Sequence, residues 1–197
     1  MRLILASASE TRAKLLKDTG VAFEIVPARV DEESVKHSLL AGKTSHRDIA
    51  DALAELKALR VSGSHEGALV LGADQVLSFG GALVSKCENL AEARALLLRL
   101  RGQTHELLSA LVLAKDGAPV WRRVEKAALT MRDFSEAFLD DYLTREGESL
   151  LSGVGCYRLE GRGAQLFSRV SGDHSTILGL PLIPLLSALR EQGVIAR

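Results

Sequence analysis

Ala68-Leu69-Val70-Leu71-Gly72-Ala73-Asp74-Gln75-Val76-Leu77 is the stretch that decides how the chain folds. Four apolar residues run into Gly-Ala, and a carboxylate then appears inside a segment that otherwise reads as a buried strand. Val and Leu favour a pleated, packed surface, and a short apolar run bounded by glycines suits a central strand better than a helix. Gly72 and Ala73 present almost no side chain, as a backbone does where a ligand or a second segment must come close. Asp74 projects from this rigid element. A buried carboxylate is costly unless it is paired, hydrogen-bonded or bound to a metal. Asp74 is therefore either a strand-end residue capping a turn or a working carboxylate, and the rest of the chain must supply the cations that decide between them.

The 197 residues suit one large domain or two closely joined lobes. Hydrophobic residues make up 47% and charged residues 25%, with 25 basic against 25 acidic side chains, the profile of an ordinary soluble globular protein. Balanced charge argues against general nucleic-acid binding. Two cysteines, Cys87 and Cys156, are too few for a disulfide framework or a zinc cluster and point to a reducing compartment. The apolar start Leu3-Ile4-Leu5-Ala6 ends at once in Ser-Ala-Ser-Glu, too short for a signal segment. No apolar run approaches the ~20 residues of a membrane span, so a cytoplasmic location is expected.

Outward from the central strand, the N-terminal side opens with Leu3-Ile4-Leu5 as a short buried strand. Ser7 and Glu10 have capping-box spacing for a helix that continues through Arg12 to Lys17, with Gly20 as its stop. A strand leading into a free helix N-terminus can receive an anion, and Arg12, one turn in, could add its fork of donors. Val21 to Val26 reads as a second strand ended by Pro27. Asp31-Glu32-Glu33 is an acidic cluster before a polar stretch lasting to about Thr44, either a solvated loop or a helix beginning at Ser34. His46 to Ser62 is an amphipathic helix with Ile49, Leu53 and Leu56 on one face and Lys57 beside it. A single lysine at such a position is normally solvated.

On the C-terminal side, Phe79-Gly80-Gly81-Ala82 signals a hairpin turn into Leu83-Val84, with Lys86 just beyond. Asn89 with Glu92 caps a helix to about Arg101. Leu107–Ala114 and Val120–Thr130 read as strands joined by Asp116-Gly117. Ser135 caps a helix that packs through Phe138, Leu139, Tyr142 and Leu143. Frequent glycines then separate the strand-like pieces Cys156–Glu160, Gln165–Val170 and Ile177-Leu178, and Pro181 sits in the first turn of a last helix to Gln192.

Laid out in order, these pieces resemble the Maf family, historically called septum-formation inhibitors and understood as nucleoside triphosphate pyrophosphatases. Leu5-Ala6-Ser7-Ala8-Ser9-Glu10-Thr11-Arg12-Ala13-Lys14-Leu15-Leu16 resembles the family's opening Leu-Ala-Ser-x-Ser-x-x-Arg-x-x-Leu-Leu. Leu53-Ala54-Glu55-Leu56-Lys57-Ala58 resembles its Leu-Ala-x-x-Lys-Ala helix, and Gly72-Ala73-Asp74-Gln75 its Gly-(Ala/Ser)-Asp-(Thr/Gln) strand end. Gly102-Gln103-Thr104-His105-Glu106 and Gly179-Leu180-Pro181-Leu182 match two further signatures. Each motif alone is modest; five in register along the whole chain are specific. The chain departs from the pattern at Ser85-Lys86-Cys87, usually Gly-Lys-Pro, at Val154-Gly155-Cys156-Tyr157, usually Ala-Gly-x-Tyr, and at Gly172–Leu178 before Gly-Leu-Pro.

The resemblance implies one Maf-like domain over residues 1–197: an elongated mixed α/β sheet flanked by helices, in two lobes with a central cleft. It implies hydrolysis between the α- and β-phosphates to give monophosphate and pyrophosphate, in a house-cleaning role. Asp74 would orient and deprotonate the attacking water. Ser7, Ser9, Arg12, Lys57 and Lys86 would offset the triphosphate's charge, and Glu33 with Asp74 would hold Mg²⁺ or Mn²⁺. Thr11, Gln75 and Glu160 would select the base. Gln75 with Glu160-Gly161 resembles the branch linked to 7-methyl-GTP, where a carboxylate can accept from the guanine edge and favour a cationic ring. A homodimer, and no nucleic-acid or membrane partner, are expected. The five histidines and both cysteines are expected to be structural. Two other readings compete: a related pyrophosphatase for deaminated purine triphosphates, and a non-catalytic nucleotide- or partner-binding regulator of cell division.

Overall fold

Three hydrophobic residues at the N-terminus start the sheet. A computed structural model describes residues 1–196 and assigns β1 to Leu3–Leu5, all three buried. Helix α1 (Glu10–Asp18) follows, then β2 (Glu24–Ile25), α2 (Glu32–Ala41), α3 (His46–Ser62) and β3 (Leu69–Phe79), the expected central strand. A hairpin leads to β4 (Ala82–Val84), then come α4 (Leu90–Leu100), β5 (Thr104–Lys115), β6 (Ala118–Met131) and α5 (Glu136–Glu146). Two 3-10 turns, Gly147–Ser152 and Arg162–Leu166, precede β7 (Phe167–Ser171), α6 (His174–Ile177) and α7 (Leu182–Glu191). The sheet has seven strands in the order β2-β1-β3-β5-β6-β7, with β4 paired to β3.

The chain forms two compact units. One comprises Met1–Gln75, Leu108–Glu125 and the segment from Asp173; the other comprises Val76–Leu107 and Lys126–Gly172. In the first unit β1 runs parallel to both neighbours, pairing Leu5 with Ile25 on β2 and with Leu71 on β3. The chain leaves β1 through α1 to reach β2 on one side, then crosses by α2 and α3 to β3 on the other. Right-handed crossovers in opposite directions put their helices on opposite faces of the sheet. Leu16 of α1 accordingly packs with Leu3, Leu5, Leu69, Leu71 and the α7 residues Leu185 and Leu189, whereas Val61 of α3 packs with Ile4, Ala6 and Val70. Strands β1 and β3 thus form a parallel core buried on both faces.

The second unit is built on a separate apolar cluster. Leu96, Leu97 and Leu100 of α4 meet Leu139 and Tyr142 of α5, with Phe134, Leu150, Cys156 and Leu166 closing it. At its sheet edge β6 and β7 are antiparallel, with Leu129 opposite Val170.

Local chemistry differs from expectation at four places. Helix α1 is capped by Ser9, whose hydroxyl accepts from Arg12 N–H at 3.4 Å, so no Ser7–Glu10 capping box forms. The strand expected over Val21–Val26 contracts to Glu24–Ile25. The polar stretch before Thr44 is helix α2, because Asp31 accepts from Ser34 N–H at 3.1 Å and acts as its cap. Of the glycine-punctuated pieces near the C-terminus, only the middle one is a strand. Cys156 takes a positive φ of 53°, which breaks an extended run, and Asp173 caps the short helix α6 where Ile177 was expected in a strand.

Candidate active site

Parallel strands whose connections diverge leave a crevice at their carboxyl ends, where ligands bind in open α/β sheets. Here that place lies beyond Leu5 and Leu71, and Ala6 N–H still reaches the Leu71 carbonyl at 2.8 Å. The segment Ser7–Ser9 leaves β1 at this end, and Asp74 stands on β3 three residues past Leu71.

Strand alternation aims the Asp74 side chain. Leu69, Leu71 and Ala73 enter the cluster beneath α1 and α7, so Val70, Gly72 and Asp74 face α3. Gly72 is the close-approach point. A Cβ there would collide with the Ala54 carbonyl oxygen and lie 2.7 Å from Ala58 N, so what comes close at this glycine is helix α3 itself. With Ala58 seated on Gly72, its neighbour Lys57 is carried to Asp74. Lys57 Nζ donates to Asp74 Oδ1 at 2.5 Å, and both residues are buried. The solvated lysine expected from helix spacing is thus an interior one.

The same ammonium lies 2.7 Å from Glu32 Oε1. The sequence pattern implies Glu33 as the carboxylate that joins Asp74 on a metal; in the structure Glu33 pairs with Lys36 on its own helix at 2.9 Å and is largely exposed. Adjacent helical residues point about 100° apart, so only one of the two acids can face α3. The signal lay in Asp31: taken as the N-cap, it makes Glu32 the first helical residue.

Arg12 joins the group from α1. Its Nη1 donates to the Ala73 carbonyl at 3.0 Å and to Ser7 Oγ at 3.3 Å, and its Nε donates to the Gly179 carbonyl at 2.9 Å. Gly179 has a φ of +87°, and a Cβ there would lie 3.3 Å from the guanidinium nitrogens, so glycine lets the planar group rest against the chain. Burial pulls the Arg12 guanidinium below its usual range, while the fields of Asp74 and Glu32 oppose that shift. Arginine remains charged regardless. Two cations therefore face two carboxylates. Ser7 is buried, and its hydroxyl also accepts from Ser9 N–H at 3.3 Å, so that amide is already used within the loop.

Gln75, next along the strand, points to the opposite face. Its amide nitrogen has three acceptors, Ser109 Oγ at 2.8 Å, the Thr176 carbonyl at 3.1 Å and the Ile177 carbonyl at 3.0 Å. Its NH₂ is committed to holding the α6 turn. Thr11 is half-buried in the first turn of α1. Lys86 and Glu160 belong to the second unit: Lys86 is exposed two residues beyond β4, and Glu160 pairs with Arg158 at 3.4 Å. His105 and both cysteines lie in the second unit's own packing.

The chemical capacity follows from one atom. Asp74 Oδ2 is buried and has no hydrogen-bond partner among the described residues, while Oδ1 is held by an ammonium. Such an oxygen is left for a water, a proton or a cation. A hard divalent ion suits it. Mg²⁺ takes one or two carboxylates and completes its shell with water and phosphate oxygens, and Asp74 and Glu32 are two carboxylates joined on one lysine.

The family model described as Maf-like protein matches residues 2–192. Among curated relatives, the chain is 56% identical over 191 residues to a protein of Caulobacter vibrioides named nucleoside triphosphate pyrophosphatase, covering 97% of this chain and 96% of that one. A protein of the same name from Paramagnetospirillum magneticum is 52% identical over 190 residues, covering 96% and 98% of the two chains. A third of that name, from Granulibacter bethesdensis, is 50% identical over 191 residues, covering 97% of each.

Proposed function

The chain belongs to the Maf family, and from that premise we propose that it cleaves the α–β phosphate bond of a modified or non-canonical nucleoside triphosphate, 7-methyl-GTP first among them. It is a hydrolase of the nucleoside triphosphate pyrophosphatase kind, as relatives at 50% to 56% identity over nearly the whole chain indicate. The observation that carries the reading is the Glu32–Lys57–Asp74 chain, in which half-buried Glu32 meets a buried lysine–aspartate pair that ends in the unpartnered Asp74 Oδ2.

In this proposal Asp74 accepts a proton from the attacking water through Oδ2. Lys57 holds the carboxylate in place through Oδ1 and keeps it from turning away. Glu32 fixes the lysine from its other side. Arg12, tied to the Ala73 carbonyl, and the N-terminal turn of α1 oppose the phosphate charge. Asp74 and Glu32 would hold a Mg²⁺ or Mn²⁺, which supplies further positive charge to the phosphates. Lys86 keeps the phosphate role, and Thr11, Gln75 and Glu160 the base-selecting role, that the sequence pattern implies. Since the Gln75 NH₂ is used internally, its selecting group would be the carbonyl oxygen or the turn it anchors. The same reading has the enzyme acting on free nucleotides in the cytoplasm as a homodimer. No helix among the described residues is long and apolar enough to cross a membrane.

The test is product analysis in Mg²⁺ with each common nucleoside triphosphate and 7-methyl-GTP, beside Asp74→Asn. Pyrophosphate and monophosphate from the native protein alone, fastest with the methylated nucleotide, support the proposal. Orthophosphate release means a different bond is cut. An unchanged substrate ranking in Glu160→Gln would remove that carboxylate from base selection.

A further inference from the structure

Cys87 and Cys156 are far apart in sequence and adjacent in the second unit. Both are free thiols. Cys156 is buried in the cluster built on α4 and α5, and Cys87 is half-buried against the same cluster, near enough to act on the Cys156 thiol. Cys156 is held by a left-handed backbone with φ of 53° between Gly155 and Tyr157, so its thiol direction is fixed by the fold. Cys87 sits in the segment between β4 and α4, directly after exposed Lys86. One sulfur can therefore be reached from solvent, and the other waits behind it.

We propose that Cys87 and Cys156 form a reversible disulfide driven by hydroperoxides, and that this bond restrains the segments carrying Lys86 and Glu160. The second clause rests on the pyrophosphatase reading, which assigns those two residues to the substrate. The first stands on the thiol pair alone.

The chemistry balances in two steps. The Cys87 sulfur, as thiolate, attacks one oxygen of hydrogen peroxide; the O–O bond breaks, and Cys87 becomes a sulfenic acid as hydroxide leaves and takes up the thiol's proton as water. The Cys156 sulfur then attacks the sulfenic sulfur. An S–S bond forms, the S–O bond breaks, and the departing hydroxide leaves as water with the Cys156 proton. Two thiols and one peroxide give one disulfide and two waters, and a dithiol reductant reverses the bond by exchange. The order follows from accessibility. Burial, with Cys87 as a neighbour, pushes the Cys156 thiol up to about 12, which suits it to the resolving step rather than to first attack on peroxide. In a reducing compartment such a bond is transient, as a sensor requires.

The experiment treats the reduced full-length protein with hydrogen peroxide, alkylates free thiols after denaturation and maps peptides by mass. A linked Cys87–Cys156 peptide that disappears with dithiothreitol is expected, and Cys156→Ser should stop at a Cys87 sulfenic acid trapped by dimedone. Peroxide should lower kcat/KM several-fold in the native protein, reversibly, and leave Cys87→Ser unaffected. Cys87 is half-buried and its serine variant is nearly isosteric, so this control stands even if Cys156→Ser folds poorly. Both thiols still alkylated, or Cys87 oxidised onward with no link, would overturn the disulfide. A complete link with unchanged kcat/KM would overturn the restraint on Lys86 and Glu160. Failure of the pyrophosphatase reading would show as no turnover in the reduced protein, whereas the peptide map needs no turnover.

Discussion

Lys57 Nζ stands 2.5 Å from Asp74 Oδ1, with the lysine side chain 7% and the aspartate side chain 5% exposed. An ion pair this deep contributes little net stability, because desolvation of both charges offsets their attraction. Its use is geometric. It fixes one carboxylate oxygen and leaves the other, Oδ2, free of protein partners among the described residues.

Removing the cation alone should be severe. Lys57→Met leaves Asp74 buried with no ammonium, a situation that costs about 3–5 kcal/mol. Lys57→Met with Asp74→Asn removes both charges and should recover most of that stability while remaining inactive. Urea unfolding of the four members of this cycle measures the coupling. Equal stability of Lys57→Met and the double variant would mean the pair is not closed in solution.

The neighbouring acids Glu32 and Glu33 should behave oppositely. Glu32 reaches Lys57 at 2.7 Å, whereas the exposed Glu33 carboxylate reaches Lys36 on its own helix. Glu32→Gln should lower kcat by roughly 10-fold or more, the scale of losing a group that positions acid–base chemistry. Glu33→Gln should remain near the native rate, because its carboxylate is largely exposed and pairs with Lys36 rather than with Lys57. Steady-state kinetics on both variants decides which acid serves the site, and the reverse ranking would return Glu33 to it.

This pair of glutamates shows what the sequence could reveal. Helix α3 and the turns at Gly80-Gly81 and Asp116-Gly117 were legible because local chemistry fixes them: an amphipathic face in the one, and residues that tolerate positive φ in the others. Asp74 was legible because a carboxylate in an apolar strand demands a partner. The identity of that partner's own partner was not. Whether Lys57 is solvated or buried depends on Gly72 letting α3 descend onto β3, a tertiary fact. Whether Glu32 or Glu33 joins it depends on helix phase, which the cap at Asp31 sets and which an acidic triplet read as a loop conceals. The glycine-rich C-terminal third misled for a related reason. Alternation at Cys156–Glu160 resembles a strand, but the left-handed residue at Cys156 prevents one.

Gly72 offers a direct test of that tertiary dependence. An added methyl would collide with the Ala54 carbonyl and come within 2.9 Å of Ala58 Cβ, and a helix backbone cannot yield as a side chain does. Gly72→Ala should destabilise by about 1–3 kcal/mol through overpacking. It should also lower kcat, because lifting α3 withdraws Lys57 from Asp74. Thermal unfolding and kinetics on the same preparation test both. A loss of stability with native kcat would show that Lys57 follows Asp74 independently of the helix.

The last prediction concerns acid stability and His105. Its Nε2 lies 2.7 Å from the Tyr157 hydroxyl, its Nδ1 is buried without a partner among the described residues, and burial pushes the imidazole down to about 4 from 6.5. The folded protein therefore keeps this ring neutral where the unfolded chain would bind a proton. Between about pH 6.5 and pH 4 the unfolded state takes up more protons, so stability rises with pH across that window and is lost as pH falls through it. The full effect is roughly 3 kcal/mol for a displacement of this size. His105→Gln can still bond to the Tyr157 hydroxyl and has no proton to gain. Its unfolding free energy should decline less steeply from neutral pH to pH 4 than that of the native protein. Two parallel curves would mean His105 is protonated in the fold, and the buried ring with its tyrosine would then need a carboxylate or water beside it.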